Sequence, residues 1–397
     1  MSEARAVSRR LPPVAEHVDA EMVRVSQSFD WIRLVSPCAT GELWEVFKSS
    51  DFREQPRFRY RDPEIDLESI RERLIALPVR EIEDPVFEAL LAEKQRELDR
   101  QLELIELRGT EGFLPVSIDL FGVAEPDLYA EARHVLDVVP PDRRTIGSWV
   151  DADHIVQSAA AQFAWYRRQC PDFSADVTCC RDITAGLMVS NNTLLVSEQV
   201  RIPRERVDAL LHHEIGTHIL TWYNGCHQPL QQLQSGLAHY DELQEGIGVL
   251  AEYLSGNLSA VRLRTLAARV IAVRLVTDGA EFQDVFERLR SDYRFSDRAA
   301  FIITTRIFRG GGLTKDVVYL RGLKGLIDYL REGHAFEQLL VGKFSLSELP
   351  AIRKLDSMGW LEPPKMLPAY LHNAAAQKRL AECTQIPLDD LYQRLVA

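Results

Sequence analysis

Ala209-Leu-Leu-His-His-Glu-Ile-Gly-Thr-His-Ile-Leu-Thr-Trp222 decides how the chain is read. Val207, Leu210, Leu211, Ile215, Ile219 and Leu220 recur at helical spacing, so one face of a helix is apolar and packs inward. His213, Glu214 and His218 are set into that segment. Clustered polar groups carried into a core need partners, and a metal ion suits imidazole combined with carboxylate. In the zinc-hydrolase pattern H-E-x-x-H the two imidazoles lie one turn apart on one face, and the glutamate between them acts as general base. Here the pattern is His213-Glu214-x-x-x-His218. Five steps of about 100° put the second imidazole roughly 140° round a regular α-helix from the first. A π-type widening, or a loosening at Gly216, would bring both rings to one ion, so the spacing predicts an irregular helix around Gly216. Taken alone, the pair also fits two ordinary helix histidines with no ion.

A second helix, Asp241-Glu-Leu-Gln-Glu-Gly-Ile-Gly-Val-Leu-Ala-Glu252, starts 23 residues after His218. A catalytic zinc centre commonly takes three protein ligands and leaves a fourth position for water, and two His plus one Glu is a known set. Glu245 is the candidate third ligand. Asp241 and Glu242 sit in the first turn, where the helix dipole favours acids without any ion. Glu252 is expected in solvent.

His213-Glu214-Ile-Gly-Thr-His218 with Gln244-Glu245-Gly246 resembles the flavohaemoglobin expression-modulating family named for its QEGLA motif, whose eukaryotic relatives are the microtubule-associated tyrosine carboxypeptidases. The resemblance runs from about Trp149 to about Leu340. It implies zinc on His213, His218 and Glu245, with Glu214 as catalytic base. The chain departs from the motif at Ile247 and Gly248, where the family name has Leu and Ala; the difference is expected to touch helix packing rather than the ligand.

A further block, Thr305-Arg-Ile-Phe-Arg-Gly-Gly-Gly-Leu-Thr-Lys-Asp-Val-Val-Tyr-Leu-Arg321, resembles the same family. Gly310 to Gly312 are expected to let the backbone bend close to a substrate. Arg306, Arg309, Lys315 and Arg321 offer cations for a substrate carboxylate, with Arg309 and Lys315 favoured, and Tyr319 offers a hydroxyl for a catalytic oxyanion. The plainer alternative is that these charges are solvated or paired with the chain's many acids.

The 397 residues carry 47 Lys and Arg against 59 Asp and Glu, a net charge of −12 that repels polyanions and removes the usual reason to propose a nucleic-acid partner. No apolar run is long enough for a membrane span and no secretory leader is visible, so the expected location is cytoplasmic. Six scattered cysteines make neither a disulfide framework nor a CxxC zinc site. Pro140-Pro141 and Pro363-Pro364 punctuate a mainly helical pattern. The expected organisation is a flexible tail (1–14), an N-terminal helical region (15–140), a zinc metallopeptidase domain (141–350) and a C-terminal helical extension (351–397). The runs DVTCC, AGLMVS and TLLVS, with Asn191-Asn192 as a hairpin turn, predict a small antiparallel sheet, and Thr193 to Ser197 is a candidate peptide-binding edge. A further strand is expected at Val317 to Leu320.

The fold class expected is α+β, predominantly α, with a zincin-like core. The function expected is a zinc-dependent metallopeptidase acting on a peptide or protein C-terminus. By resemblance it is a carboxypeptidase, for which a terminal tyrosine or other aromatic is a possible target. Two rivals remain open at this point: a non-catalytic regulatory protein that retains a zinc site, and a helical scaffold with no metal.

Overall fold

The computed structural model describes residues 10–38, 40–141, 147–181, 183 and 186–392. Its frame is helical: α1 (Pro13–Gln27), α2 (Pro85–Leu107), α3 (Pro126–Val138) and α4 (Ala152–Gln169) precede three strands, β1 (Asp176–Cys180), β2 (Leu187–Ser190) and β3 (Thr193–Ser197). Then come α5 (Val207–His213), a π turn (Glu214–Ile219), α6 (Leu220–Gly225), α7 (Tyr240–Leu254), α8 (Ala260–Thr277), α9 (Asp297–Phe308) and α10 (Val318–Arg331). Local chemistry sets the ends. The Asp84 carboxylate accepts the N–H groups of Val86 at 2.8 Å and Phe87 at 3.4 Å with Pro85 at the first position of α2, and Gly109 at φ +77° follows its last turn. Of the expected tail, residues 1–9 lie outside the described residues, while Leu11 is already buried and α1 begins at Pro13.

The sheet is mixed rather than antiparallel. β2 and β3 form the expected hairpin, with Ser190 opposite Thr193 and Asn191 at φ +52° in the turn. β1, however, runs parallel to β3 because the hairpin carries β2 to the far side and returns β3 between the two. Thr193–Ser197 is therefore the central strand, not an edge. The strand expected at Val317 to Leu320 is also absent: a 3-10 turn (Thr314–Val317) leads straight into α10. The β-branched pair that suggested a strand is buried at the start of that helix instead.

Two buried apolar clusters build the interior. One takes residues from Leu11 to Val139 and again from Leu230 to Leu391, so α1 to α3 share it with α7, α8 and α10. The other takes Val150 to Tyr223 with Met366, and holds α4, the sheet and the histidine-bearing α5 and α6. α7 and α10 approach closely because Gly246 faces Gly322, where an added Cβ would fall 2.5 Å from backbone atoms. The glycine turn at 310–312 has a packing task, not the expected approach to substrate: a Cβ on Gly310 would fall 2.1 Å from the Phe113 ring. Among the described residues no helix is long and apolar enough to cross a membrane, and all six cysteines are free.

α1 is tied to the rest by Asp19, which is fully buried and accepts the backbone N–H groups of Gln231 at 2.7 Å and Gln232 at 2.9 Å. Burial outweighs those two donors and raises its pKa from 3.8 to about 7. A folded pKa above the unfolded one means that the stabilisation is complete below about pH 4 and is lost as pH rises to about 7. The melting temperature of the wild type should fall relative to that of Asp19→Asn, which cannot ionise, as pH rises across that window; a constant gap would show that Asp19 does not titrate there.

Candidate metal centre and cavity

The helix carrying the histidines widens where the sequence requires it. Across the π turn the Leu220 N–H donates to the Ile215 carbonyl five residues back, and the Thr217 hydroxyl donates to the His212 carbonyl at 3.5 Å. The His213 and His218 ring centroids come to 5.2 Å. From α7, Glu245 Oε2 reaches 3.1 Å from His213 Nε2 and 4.0 Å from His218 Nε2, and the three donors lie within 4.8 Å of one another. Four-coordinate zinc, with bonds of ~2.0–2.2 Å, separates its ligand atoms by about 3.4 Å. The observed separations bracket that value, so the donor set fits the ion in both chemistry and spacing.

Glu252 is not solvated, as the sequence suggested, but has no exposed surface. Its carboxylate meets His213 Nδ1 at 3.1 Å, Arg206 at 3.0 Å and Arg262 at 3.0 Å. Glu245 and Glu252 are seven residues apart on one face of α7, and between them Gly248 leaves room for the imidazole: a Cβ there would fall 2.5 Å from His213 Cε1. The departure from the QEGLA pattern at this position thus touches the His213 ring itself. A carboxylate on the outer nitrogen fixes ring orientation and makes the inner nitrogen the one that faces the centre.

Electrostatics follow from the burial. Burial opposes charging of His213, but the bonded Glu245 and Glu252 outweigh it and raise its pKa to about 10. Burial lowers that of His218 to about 4 and raises that of Glu214 to about 7, the latter against the pull of His213. Glu245 is also buried, yet the bonded His213 and the nearby His218 hold it well below the usual carboxylate range.

These groups open into a cavity of about 830 Å³, lined by His213, Glu214, His218, Glu245 and Tyr319 together with β2, Tyr240 and Lys94 of the N-terminal α2. Of the cations expected to bind substrate, Arg306, Arg309 and Lys315 line it and Arg321 does not. Most of them already have acid partners. Arg306 forms a two-pronged pair with Asp316 at 2.7 and 2.8 Å, Lys315 Nζ meets Asp241 at 2.8 Å, and Arg321 is held by Glu242 at 2.6 Å and by Glu125 at 3.2 Å. Arg309 reaches the same Asp316 at 3.7 Å and Ser36 Oγ at 3.3 Å. Burial and the neighbouring Arg306 lower the pKa of Arg309 to about 10. The Tyr319 ring faces the guanidinium groups of Arg269 at 4.9 Å and Arg262 at 5.7 Å. His212, His227, His239 and Cys226 are not among the cavity-lining residues.

Sequence reasoning missed Glu252, Arg262, Asp316, Asp241 and Lys343. The seven-residue step from Glu245 would have placed Glu252 on the ligand face; no motif marks Lys343, which reaches the cavity from a distant loop.

Removing Glu252 would leave Arg206 and Arg262 without their carboxylate in a buried setting. Glu252→Ala should destabilise the fold by about 3–5 kcal/mol in urea unfolding. A loss below about 1 kcal/mol, the range of an exposed pair, would show that the network is solvated.

A family model described as microtubule-associated tyrosine carboxypeptidase matches residues 45–386. The match is much longer than the 149–340 suggested by motifs and takes in α2 and α3. No curated protein matches the chain.

Proposed function

Because the chain belongs to the microtubule-associated tyrosine carboxypeptidase family, we propose that it is a zinc-dependent carboxypeptidase with a zincin-like centre, of the branch that carries the QEGLA-type motif. Its substrate is a peptide or protein C-terminus, with tyrosine or another aromatic as the residue removed. The observation that carries this reading is the convergence of His213, His218 and Glu245 through the π turn, with Glu214 lining the same cavity.

His213, His218 and Glu245 would hold the ion. When bound, zinc supplies a Lewis acid and lowers the pKa of a coordinated water toward 7. Glu214 follows the first ligand, and its carboxylate takes the proton of the attacking water and passes it to the leaving amine nitrogen. The Tyr319 hydroxyl donates to the carbonyl oxygen as charge develops there. The cationic wall of Arg306, Arg309 and Lys315 makes the cavity attractive to an anionic chain end, while Arg321, outside the lining, braces α10 against α7. A purely structural zinc is normally closed by four ligands. Three donors facing an open cavity, with a carboxylate beside them, favour catalysis over the regulatory alternative.

Metal analysis and a peptide library test this together. The wild type should carry zinc and shorten peptides from the C-terminus. Glu214→Gln should keep the zinc and lose activity roughly 10²–10⁴-fold, whereas Glu245→Ala should lose the zinc. Zinc-loaded wild type with no activity on any peptide would leave the regulatory alternative standing. Equal zinc in the wild type and Glu245→Ala would move the third ligand elsewhere.

A further inference from the structure

The cavity's buried cations are not equally satisfied. Lys94 pairs with Glu97 at 2.6 Å, Lys315 with Asp241 at 2.8 Å, and Arg306 and Arg309 share Asp316. Lys343 also lines the cavity and is only 8% exposed, yet among the described residues no carboxylate lies within 4.0 Å of its Nζ. Its described contact is the Tyr240 ring, 5.8 Å to the centroid, and Lys94 Nζ lies 5.5 Å from the same centroid. An ammonium taken out of water with no carboxylate in contact is costly, and burial lowers the pKa of Lys343 to about 8 against the pull of Asp241, which is already bonded to Lys315.

The position is nevertheless built. The Lys343 N–H donates to the Leu233 carbonyl at 2.7 Å, and its own carbonyl accepts from the Leu237 N–H at 3.0 Å. Gly342 passes so close to Leu233 that an added Cβ would fall 2.7 Å from it. The backbone that carries the ammonium is therefore pinned on both sides. Lys343 lines the same cavity as His213, Glu214, His218 and Glu245.

We propose that Lys343 is the group that receives the terminal α-carboxylate of the substrate, and so confines cleavage to the last peptide bond. This rests on the carboxypeptidase reading. A chain end supplies the missing anion inside the cavity, where a charge-assisted hydrogen bond is strong. An internal peptide bond placed at the same centre would leave the ammonium unpaired. The carboxylate could in principle come from an Asp or Glu side chain of the substrate, and the test separates the two sources.

Three peptides with an aromatic last residue are compared on the zinc-loaded full chain: the free acid, its C-terminal amide, and the free acid with a penultimate Glu replaced by Gln. The wild type should prefer the free acid to the amide and treat the Glu and Gln peptides alike. Lys343→Met should shrink the acid-to-amide ratio in kcat/KM roughly 10–100-fold, chiefly through KM, and Lys343→Arg should restore most of it. Zinc content should not change. Because Met removes an unpaired buried charge while keeping the shape, that variant should melt no lower than the wild type.

Calorimetry with N-acetyltyrosine and its amide gives a second readout that needs no turnover: only the free acid should bind, and Lys343→Met should lose it. An unchanged acid-to-amide ratio in Lys343→Met, beside an active wild type, overturns the Lys343 assignment and spares the carboxypeptidase. A ratio that moves only with the Glu→Gln peptide assigns the lysine to a side-chain carboxylate and also overturns it. A wild type that binds N-acetyltyrosine through Lys343 but cleaves nothing defeats the carboxypeptidase reading instead.

Discussion

The five-residue step from His213 to His218 is the constraint from which the rest of the centre follows. In a regular helix it would point the rings apart, so the chain gives up one turn of α geometry over Glu214–Ile219 to bring them together. That turn needs support from outside itself. The Thr217 hydroxyl covers the His212 carbonyl, and the Thr221 hydroxyl, one turn on, shares its one proton between the Thr217 carbonyl and Gln244 Oε1, at 2.8 and 2.7 Å. The widened helix is thereby stitched to α7, the helix that delivers Glu245. Geometry that would be poor in isolation becomes fixed because the helix of the two imidazoles and the helix of Glu245 are fixed to each other.

Charge is compensated around this centre in a graded way. Glu252 is surrounded by one imidazole and two guanidinium groups, and Asp316 by Arg269, Arg306 and Arg309. Each carboxylate serves several cations, so the buried interior beside the cavity is left with more positive charge than its own acids neutralise. The chain as a whole carries a net charge of −12. An anion approaching the cavity would thus meet a repelling exterior and an attracting interior, so long-range attraction would be a poor account of any preference for the proposed chain end.

The helical pattern, the Asn191-Asn192 turn and the irregular helix at Gly216 were legible because each is a local matter of spacing or of backbone preference. The convergence of His213, His218 and Glu245 was legible for a related reason: polar groups at fixed offsets on apolar faces are visible in a single string. What failed were relations between distant segments. Nothing in DVTCC says that TLLVS will insert beside it rather than beyond it, so strand order and direction were misread. The run at Val317-Val318 has the composition of a strand, but buried packing overrode that propensity and made it the start of α10. The cations between Arg306 and Arg321 looked available because spacing alone does not show that Asp316 folds back onto Arg306 and Arg309, and because the acids of Lys315 and Arg321, Asp241 and Glu242, lie 74 and 79 residues before them.

The N-terminal helices bear on the centre through one small contact. Glu97 of α2 accepts the backbone N–H of His239 at 2.9 Å, and His239, at φ +55°, is the residue from which α7 starts. Lys94, the partner of Glu97, stands in the cavity wall. The helix that carries Glu245 is therefore begun by a residue from the first hundred of the chain. The centre is thus not a portable module: recombination that moved residues 141 to 350 into another protein would carry His213, His218 and Glu245 along but leave behind Glu97, the group that holds the start of the Glu245 helix.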